Sequence, residues 1–321
     1  MIYADVGSLA AMENFGCEMY FATEAGLSDT VFLLWSTTPT VMLGKYQNAL
    51  EEIDRTYVEA HGITVIRRMS GGGTIYTDPG GLQFSYIVPD GSQTIDFSAF
   101  VAPVTRALCD LGLDAAADGR NDILVSGKKV SGNAQYKIKG ATVHHGSLLF
   151  DTDLAALTRA TTPKPYKITS KSIASVRDRV TNIREHLPHD MTLGAFRDAL
   201  LLALCGQTTP YPLTDTVRAR IHTLGMEYYG ASVWETGPKY EITKVCHLPG
   251  GTMEFALSMK NGRIARCQVS GDFFASVDGG EIEACLTGQP LDASVLEHAL
   301  SPLPGRLFSI SPAEIARVLA E

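Results

Sequence analysis

The pattern of apolar and polar residues predicts a chain in which helices alternate with short strands. Residues 31–35 (VFLLW) and 40–43 (TVML) are apolar runs on either side of a turn, which is typical of buried strands. Apolar residues at helical spacing predict an amphipathic helix over 98–111 that ends at Gly112. The same pattern predicts further helices over 8–25, 51–61 and 192–205, and further strands over 63–68, 83–88 and parts of 121–150.

The pattern changes in the last third of the chain. From 206 to 250 the composition shifts towards Thr, Pro and Gly, and the segment 234–241 (WETGPKYE) is typical of a linker or an edge segment. Beyond it we predict strands over 252–259, 262–269 and 272–277 and helices over 292–300 and 312–319. We therefore expect a large domain over 1–245 and a small α+β accessory domain over 246–321.

Composition narrows the class of protein. The 321 residues are 45% apolar, which is enough for a buried core, and the net charge of −8 argues against general binding of nucleic acid or a membrane surface. No apolar run is as long as a membrane helix requires, and the N-terminus has no signal-peptide pattern. Six scattered cysteines without a CxxC pair favour a reducing, cytoplasmic setting, and Cys17 and Cys109 are predicted on helix core faces.

The segment 67-RRMSGGGTIYTD-78 combines positive charge with bare backbone. Neighbouring side chains on a strand point to opposite faces, so we expect one of Arg67 and Arg68 to reach a ligand and the other to brace the sheet. The glycines 71–73 would let a ligand approach the backbone and could form an anion-binding nest. The alternative is a tight turn with a solvated arginine pair. The segment matches neither the P-loop nor the GxGxxG pattern.

Two further segments carry candidate chemistry. In RNDILVSGKKVSGNAQ (120–135), Lys129 could neutralise a phosphate or an oxyanion, and Asn121 and Asp122 could offer oxygen ligands to Mg²⁺. The alternative is ordinary turn chemistry. His144 and His145 would point to opposite faces of a strand, which makes them a poor metal pair. The basic stretch 159–184 suggests an anionic partner, or else a solvated helix face.

Together and in this order, these segments resemble the lipoate–protein ligase A family of the biotin and lipoate protein ligase superfamily. The motifs that carry the resemblance are GKYQN (44–48), RRMSGGGTIYTD (67–78), RNDILVSGKKVSG (120–132), HHGSLLF (144–150), SKSIASVRDRVTNI (170–183) and VSGDFFA (269–275). The resemblance implies a mixed α+β fold. Its catalytic domain would be biotin-ligase-like, with a mixed β-sheet flanked by helices, and a small C-terminal α+β accessory domain would follow.

The resemblance also implies an activity. Such enzymes use ATP and Mg²⁺ to convert lipoate, or octanoate, into an acyl-AMP. They then transfer the acyl group to a specific lysine of an apo lipoyl domain. Acceptors of this type are the E2 subunits of 2-oxoacid dehydrogenases and the H protein of glycine cleavage.

The resemblance assigns site residues. Lys129 would be the catalytic lysine at the carboxyl–phosphate junction, and Asp122 would be a Mg²⁺ ligand. The residues expected to bind the substrate or the adenylate are Arg68, Ser70, Gly71, Gly72, Gly73, Tyr76, Asn121, Asp122, Ser131, Gly132, His145, Gly146, Ser175 and Arg179.

Two positions depart from the family pattern. Thr77 stands where the family commonly has histidine, and Gly81 stands where it commonly has asparagine. We expect both positions to lie near the nucleotide, where the loss of hydrogen-bonding groups would weaken binding. Two alternatives therefore stay open at this point: an acyl transferase that does not use ATP, and a non-catalytic lipoate-binding paralogue. A transferase that works through a thioester would need a reactive cysteine near the loops.

Overall fold

The computed structural model describes residues 1–90, 92, 94–119, 121–161, 179–234, 238–303 and 305–321. In these ranges the strands are β1 Ile2–Ala4, β2 Val31–Trp35, β3 Thr40–Leu43, β4 Thr64–Arg67, β5 Ile75–Thr77, β6 Gly81–Val88, β7 Ala115–Asp118, β8 Asp122–Val125, β9 Lys128–Ile138, β10 Ala141–Leu149, β11 Ile242–Leu248, β12 Gly251–Lys260 and β13 Arg263–Gly271. The helices are α1 Ala11–Thr23, α2 Ala49–Glu52, α3 Arg55–Ala60, α4 Ser98–Asp110, α5 Leu154–Ala160, α6 Leu193–Cys205, α7 Asp215–Tyr229, α8 Gly279–Leu286, α9 Ala293–Leu300 and α10 Pro312–Ala320, with a 3-10 turn at Ile183–His186.

A mixed sheet of seven strands forms the centre of the molecule. Its strand order is β1-β2-β6-β10-β9-β8-β7, in which β1 and β2 are parallel and the other neighbours are antiparallel. Helices α4 and α6 pack on one face through residues such as Val104 and Phe196. Helices α1 and α7 pack on the other face through residues such as Phe15 and Ile221. The predicted mixed sheet flanked by helices is confirmed.

A second sheet, β4-β3-β5, holds the glycine loop. Strand β3 pairs with β4 in parallel and with β5 antiparallel, so the chain from the end of β4 to the start of β5 must turn back across this sheet. The apolar core under the sheet includes Val41, Leu43, Val58 and Tyr76. The loop after Arg67 is therefore held at both ends by strands that share β3 as a neighbour.

The C-terminal part has its own core. The antiparallel sheet β11-β12-β13 is covered by α8, α9 and α10. The predicted boundary between residues 245 and 246 falls inside β11, whose pairing with β12 starts at Ile242. The domain division stays a prediction. A truncated protein that tests it should be cut before Ile242, so that strand β11 stays whole.

Several elements differ from the sequence-based predictions. The predicted helix 51–61 is two helices, because Asp54 caps a new start by accepting a hydrogen bond from the Tyr57 amide. The predicted strand 272–277 is wrong, since only an isolated bridge from Ala275 to Leu307 forms there. Helices α7 and α8 and strand β11 were not predicted.

Helix α7 packs closely on α1, and two glycines allow this approach. A Cβ on Gly16 would lie 2.3 Å from the Ile221 carbonyl oxygen, and a Cβ on Gly225 would lie 2.7 Å from the Met12 carbonyl oxygen. The sequence of α7 has only a weak apolar stripe, so the stability of this helix depends mainly on its packing against α1. None of the described helices combines the length and apolar character that crossing a bilayer would require.

Candidate active site

Two connected cavities lie above the central sheet, beside the glycine loop. The narrow cavity, of about 120 Å³, is lined on its apolar side by Phe15, Trp35, Met42 and Phe274. The wide cavity, of about 560 Å³, has a mixed lining that includes charged and hydroxyl side chains, and it reaches the start of β8. The residues common to both linings are Thr74, Ile75, Lys129, Gly132 and Ser147. A molecule with an apolar tail and a polar head could therefore occupy both cavities at once.

The floor of the narrow cavity is a row of residues on four neighbouring strands. Ser147 pairs with Gln83, and Gln83 pairs with Trp35. At the other end, the Gly132 amide lies 3.4 Å from Ser147 Oγ. Adjacent strands are separated by about 4.8 Å, so the row from Gly132 to Trp35 spans about 14 Å. The row runs from the junction of the cavities to the aromatic end.

The amine of Lys129 lies at the junction. Its Nζ is 2.8 Å from Asp122 Oδ1, and both side chains are partly exposed. A Cβ on Gly132 would lie 3.2 Å from Lys129 Nζ, so the missing side chain leaves the amine room over the start of the row. Lys129 is thus placed to contact a group that spans the two cavities.

Two carboxylates near Lys129 are candidate ligands for the predicted Mg²⁺. Asp118 and Asp122 face each other across β7 and β8, and both line the wide cavity. The described part of the chain contains no cluster of three or more histidine, cysteine or acidic side chains able to hold a metal. Mg²⁺ in nucleotide sites is commonly held by one or two carboxylates together with phosphate oxygens and water. The donor set here fits that arrangement.

Asn121 has a role beyond the predicted one. Its Nδ2 donates to the Asn133 carbonyl at 2.6 Å, and its own carbonyl accepts from the Asn133 amide and from Asn133 Nδ2 at 2.8 and 2.9 Å. The pair ties the start of β8 to β9 at the edge of the narrow cavity. Asn121 therefore positions the segment that carries Lys129 and Asp122.

The glycine loop faces the accessory domain as well as the cavities. A Cβ on Gly71 would lie 2.1 Å from the Phe273 carbonyl oxygen, and the Gly72 amide donates to that same oxygen at 3.2 Å. Gly72 has φ +86°, and a Cβ there would lie 2.8 Å from the Phe274 ring. A Cβ on Gly73 meets nothing within 4 Å. Gly71 and Gly72 thus make room for Phe273 and Phe274. Of the three glycines, only Gly73 leaves open space through which a ligand could approach the backbone.

Both arginines of the loop bind backbone carbonyl groups. Arg68 is buried, and it donates to the carbonyl oxygens of Met42, Gly71 and Gly73 and to Ser70 Oγ at 2.7–3.0 Å. Arg67 Nη1 donates to the carbonyl oxygens of the 44–47 segment. Burial lowers the pKa of Arg68 to about 10, so it stays charged at neutral pH. Arg68 therefore braces the glycine loop and also lines the narrow cavity, whereas Arg67 braces the 44–47 segment.

A buried polar chain continues from Arg68. Ser70 Oγ accepts from Arg68 and lies 2.6 Å from His145 Nε2, while His145 Nδ1 lies 3.2 Å from Glu18 Oε1. Glu18 is fully buried on α1 and also accepts from Ser85 Oγ at 2.6 Å. In the tautomer with its proton on Nδ1, His145 donates to Glu18 and accepts at Nε2 from Ser70 Oγ. Ser70 and His145 thus link the buried Arg68 to the buried Glu18, and His145 presents its ring to the cavity.

The remaining predicted residues divide between the two cavities. Tyr76, Ser131 and Arg179 line the wide cavity, and Gly146 lines the narrow cavity. A Cβ on Gly146 would lie 2.3 Å from Asn133 Oδ1, so this glycine also serves packing. Ser70 and Gly71 line neither cavity. Ser175 lies outside the described residues.

Residues 10–205 match the model of the lipoyl protein ligase A/B catalytic domain, and residues 237–319 match that of the bacterial lipoate protein ligase C-terminus. The chain belongs to the lipoate–protein ligase family. It is 39% identical over 295 residues to lipoate-protein ligase LplJ of Bacillus subtilis, with 89% of each chain covered. It is 37% identical over 293 residues to lipoate–protein ligase 1 of Staphylococcus aureus, with 90% of this chain and 89% of the relative covered.

Solved structures share the fold of this ligase-family chain. The structure of P. falciparum LipL1 in complex with lipoate has a TM-score of 0.77 and 18% identity, and the match covers 96% of this chain and 94% of the other. The bipartite lipoate protein ligase of Thermoplasma acidophilum, solved in a study that includes its E2 lipoyl domain, has a TM-score of 0.63 and 25% identity. That match covers 75% of this chain and 98% of the other.

The two departures from the family pattern are not among the residues that line the cavities. Thr77 is buried, and its Oγ1 accepts from Gln83 Nε2 at 2.5 Å and from Thr37 Oγ1 at 3.3 Å. Gly81 starts β6, and a Cβ there would lie 3.0 Å from Thr152 Oγ1. Neither residue lines the narrow or the wide cavity. Their expected place beside the nucleotide stays a prediction.

The cysteines offer no thiol to the cavities. Among the described residues, no cysteine lines either of them. Cys17 is buried as predicted, and burial raises the pKa of its thiol. Cys109 is exposed, so its predicted place on a core face is wrong; its Sγ turns outward near the Ala115 carbonyl. A thioester route for this ligase-family chain has no candidate nucleophile at the site.

Sequence reasoning missed several residues of the site. Glu18 is an acidic residue on an otherwise apolar helix face, and Gln83 is a polar residue in a buried strand, so each carried a weak local signal. Phe274 enters the narrow cavity from the accessory domain. No local sequence pattern predicts this contact, because the loop residues near Phe274 lie about two hundred positions earlier in the chain.

His144 has a structural role on the opposite face of β10. It is fully buried, stacks on Phe100 with ring centroids 4.6 Å apart, and is hydrogen-bonded at both ring nitrogens, to Gln135 and to Asn133. Burial, together with the neighbouring His145, lowers the pKa of His144 well below its ordinary value of 6.5. The folded protein therefore holds this ring neutral.

We expect the neutral His144 to make stability fall in mild acid. Below about pH 6.5 the unfolded chain binds a proton that the folded chain does not, so the free energy of unfolding should drop by up to about 1.4 kcal/mol per pH unit. Urea unfolding between pH 7.5 and 5 measures this. In a His144→Gln variant the slope should be flatter, although the variant is less stable at pH 7.5. Parallel curves for the two proteins would contradict the assignment.

Proposed function

We propose that this chain is an ATP-dependent lipoate–protein ligase, which forms lipoyl-AMP and then transfers the lipoyl group to a lysine of a lipoyl domain. The observation that carries the proposal is the position of Lys129 Nζ, at the junction of the narrow and the wide cavity, which share five lining residues. Family membership supports the same activity.

The narrow cavity suits the acyl tail. Its walls are aromatic and aliphatic, and its floor is a straight row from Gly132 to Trp35. Phe15 and Trp35 lie edge to face, with ring centroids 5.3 Å apart, at the far end. With its carboxylate next to Lys129, a lipoyl chain would point its sulfur-bearing end towards these rings. Sulfur atoms make favourable contacts with aromatic rings.

The wide cavity suits the nucleotide. Lys129 and Arg179 provide positive charge there, and Thr74 and Ser131 provide hydroxyl groups. In the first step a carboxylate oxygen attacks the α-phosphorus, and the bond to the β-phosphate breaks to release pyrophosphate. The amine of Lys129 holds the two anionic reactants together and offsets the charge that develops between them.

A Mg²⁺ ion fits the acidic edge of the same cavity. Asp118 and Asp122 would hold it together with phosphate oxygens. When bound, the ion supplies further neutralisation of phosphate charge. Asp122 also pairs with Lys129 Nζ, so the amine and the metal site would share one carboxylate.

The second step needs an acceptor amine. A lysine of an apo lipoyl domain, of the 2-oxoacid dehydrogenase E2 or glycine cleavage H protein type, would attack the acyl carbonyl; AMP leaves and the amine loses a proton. Lys129 would stabilise the tetrahedral oxyanion. Six unpaired cysteines and the need for ATP favour a cytoplasmic reaction.

The test is a complete reconstitution. Purified protein with ATP, Mg²⁺, lipoate and an apo lipoyl domain should add the mass of one lipoyl group to the acceptor lysine, and omission of ATP should abolish the gain. Lipoyl-AMP should accumulate when the acceptor is left out. Transfer from supplied lipoyl-AMP, with none from ATP and lipoate, would show a transferase instead. Binding of lipoate without either reaction would show a non-catalytic protein.

A further inference from the structure

Gln83 lines the narrow cavity, and its buried side-chain oxygen has no hydrogen-bond partner in the described part of the chain. The side chain is 4% exposed and lines the cavity between Ser147 and Trp35 in the floor row. Its Nε2 donates to Thr77 Oγ1 at 2.5 Å. Its Oε1 has no hydrogen-bond partner among the residues that the structure describes.

An acceptor buried in this way favours a ligand that brings a donor. Leaving a buried carbonyl oxygen unsatisfied costs free energy, and nearly all such groups in proteins have partners. The nearby cavity walls do not supply one: Phe15 and Met42 have no polar hydrogen, and the indole N–H of Trp35 already donates to Ser85 Oγ at 3.2 Å. The partner of Gln83 Oε1 is therefore expected to come from the occupant of the cavity.

The position of Gln83 along the row shows which part of an acyl chain it meets. Gln83 lies two strands from Gly132, which places it about 10 Å from the start of the row. An extended chain advances by about 1.2 Å per bond, so an eight-carbon acyl chain covers about 8 Å from its carboxyl carbon to its end. With the carboxylate at Lys129, the distal carbons lie beside Gln83. These are the carbons that bear sulfur in a lipoyl chain.

We propose that Gln83 makes the narrow cavity selective for the dithiol form of the substrate, dihydrolipoate. A thiol is a hydrogen-bond donor, if a weak one, and a distal S–H would donate to Gln83 Oε1. The disulfide ring of oxidised lipoate and the terminal methyl of octanoate have no such donor. This inference rests on the proposed function. It adds a residue that determines which redox state of the substrate is used.

The experiment is a pair of competition assays with an apo lipoyl domain, ATP and Mg²⁺. Dihydrolipoate competes with octanoate in the presence of a phosphine reductant, and oxidised lipoate competes with octanoate without it. The mass spectrum of the modified domain gives the ratio of kcat/KM values directly. Relative to octanoate, we expect dihydrolipoate to be favoured over oxidised lipoate by about five- to tenfold, as one added hydrogen bond allows.

Two variants separate the proposed contact from general effects. Gln83→Met keeps the length of the side chain but removes the acceptor. In this variant, the preference for dihydrolipoate over octanoate should become equal to the preference for oxidised lipoate over octanoate. Thr77→Val removes the partner of Gln83 Nε2, which does not line the cavity. This variant should keep the wild-type difference between the two competition ratios, even if it lowers the stability of the protein. Thermal melts check that both variants are folded.

The outcomes are distinct. If the wild type transfers neither acyl chain with ATP, the proposed ligase function fails. If it transfers octanoate and lipoate but the ratios do not differ, or Gln83→Met leaves their difference intact, the ligase function stands and the role of Gln83 is overturned. A water molecule bound to Oε1 in place of a thiol would give that second result.

Discussion

We expect the Lys129→Ala variant to lose adenylate formation by about two to three orders of magnitude, the usual cost of removing a group that stabilises transition-state charge. Among the described residues, Lys129 is the one lysine or arginine that lines both cavities, since Arg68 lines only the narrow cavity and Arg179 only the wide one. Its ion pair with Asp122 is partly exposed, so breaking it should cost little stability. Pyrophosphate release from ATP and lipoate measures the step.

The matched control is Lys128→Ala. Lys128 is the exposed neighbour on β9, and its removal changes the net charge by the same amount without touching either cavity. That variant should release pyrophosphate at close to the wild-type rate. The role of Lys129 would be refuted by a Lys129→Ala enzyme within tenfold of wild type, or by an equal loss in both variants.

The second large effect is expected at Gly71. A methyl group there would lie 2.1 Å from the Phe273 carbonyl oxygen, and backbone on one side or the other would have to move. Overpacking of this kind typically costs about 1–3 kcal/mol. The shift would also disturb Arg68, which donates to the Gly71 carbonyl at 2.7 Å. We therefore expect Gly71→Ala to lower both the free energy of unfolding and the rate of adenylate formation.

Gly73→Ala is the control within the same loop. Its Cβ would meet nothing within 4 Å, and the residue is exposed, so the free energy of unfolding should change by less than about 0.5 kcal/mol. Because Gly73 lines the narrow cavity, the methyl group should instead raise the KM for lipoate. Denaturant unfolding and steady-state kinetics on both variants test this contrast. Equal destabilisation at the two positions would show that the Phe273 contact does not set the requirement for glycine.

The 44–48 motif also contacts the accessory domain. Tyr46 stacks on Phe273 with ring centroids 4.3 Å apart, its hydroxyl donates to the Val277 carbonyl, and Lys45 pairs with Asp278. The motif at 44–48 and the motif at 269–275 therefore bind each other. Phe274 also lines the narrow cavity, so the accessory domain helps to form the proposed acyl site.

The sequence alone determined the local elements with strong periodicity. Strands Val31–Trp35 and Thr40–Leu43 have the predicted bounds, and helix Ser98–Asp110 differs by one residue at its end. Short apolar runs between turn residues and a regular apolar stripe depend only on neighbours in the chain, which is why they could be predicted. The order of the motifs was likewise enough to identify the family, whereas the catalytic role of Lys129 stays a prediction.

Only the tertiary structure decided what many of those residues contact. The three glycines had one local explanation, yet two of them make room for Phe273 and Phe274 and only Gly73 faces open space. We expected one of Arg67 and Arg68 to reach a ligand and the other to brace the sheet. In the structure, both bind backbone carbonyl groups. Glu18, Gln83 and helix Asp215–Tyr229 gained their roles from partners far away in the chain. Such contacts depend on how sheets and helices pack against one another, and a one-dimensional pattern of apolar and polar residues does not record that packing.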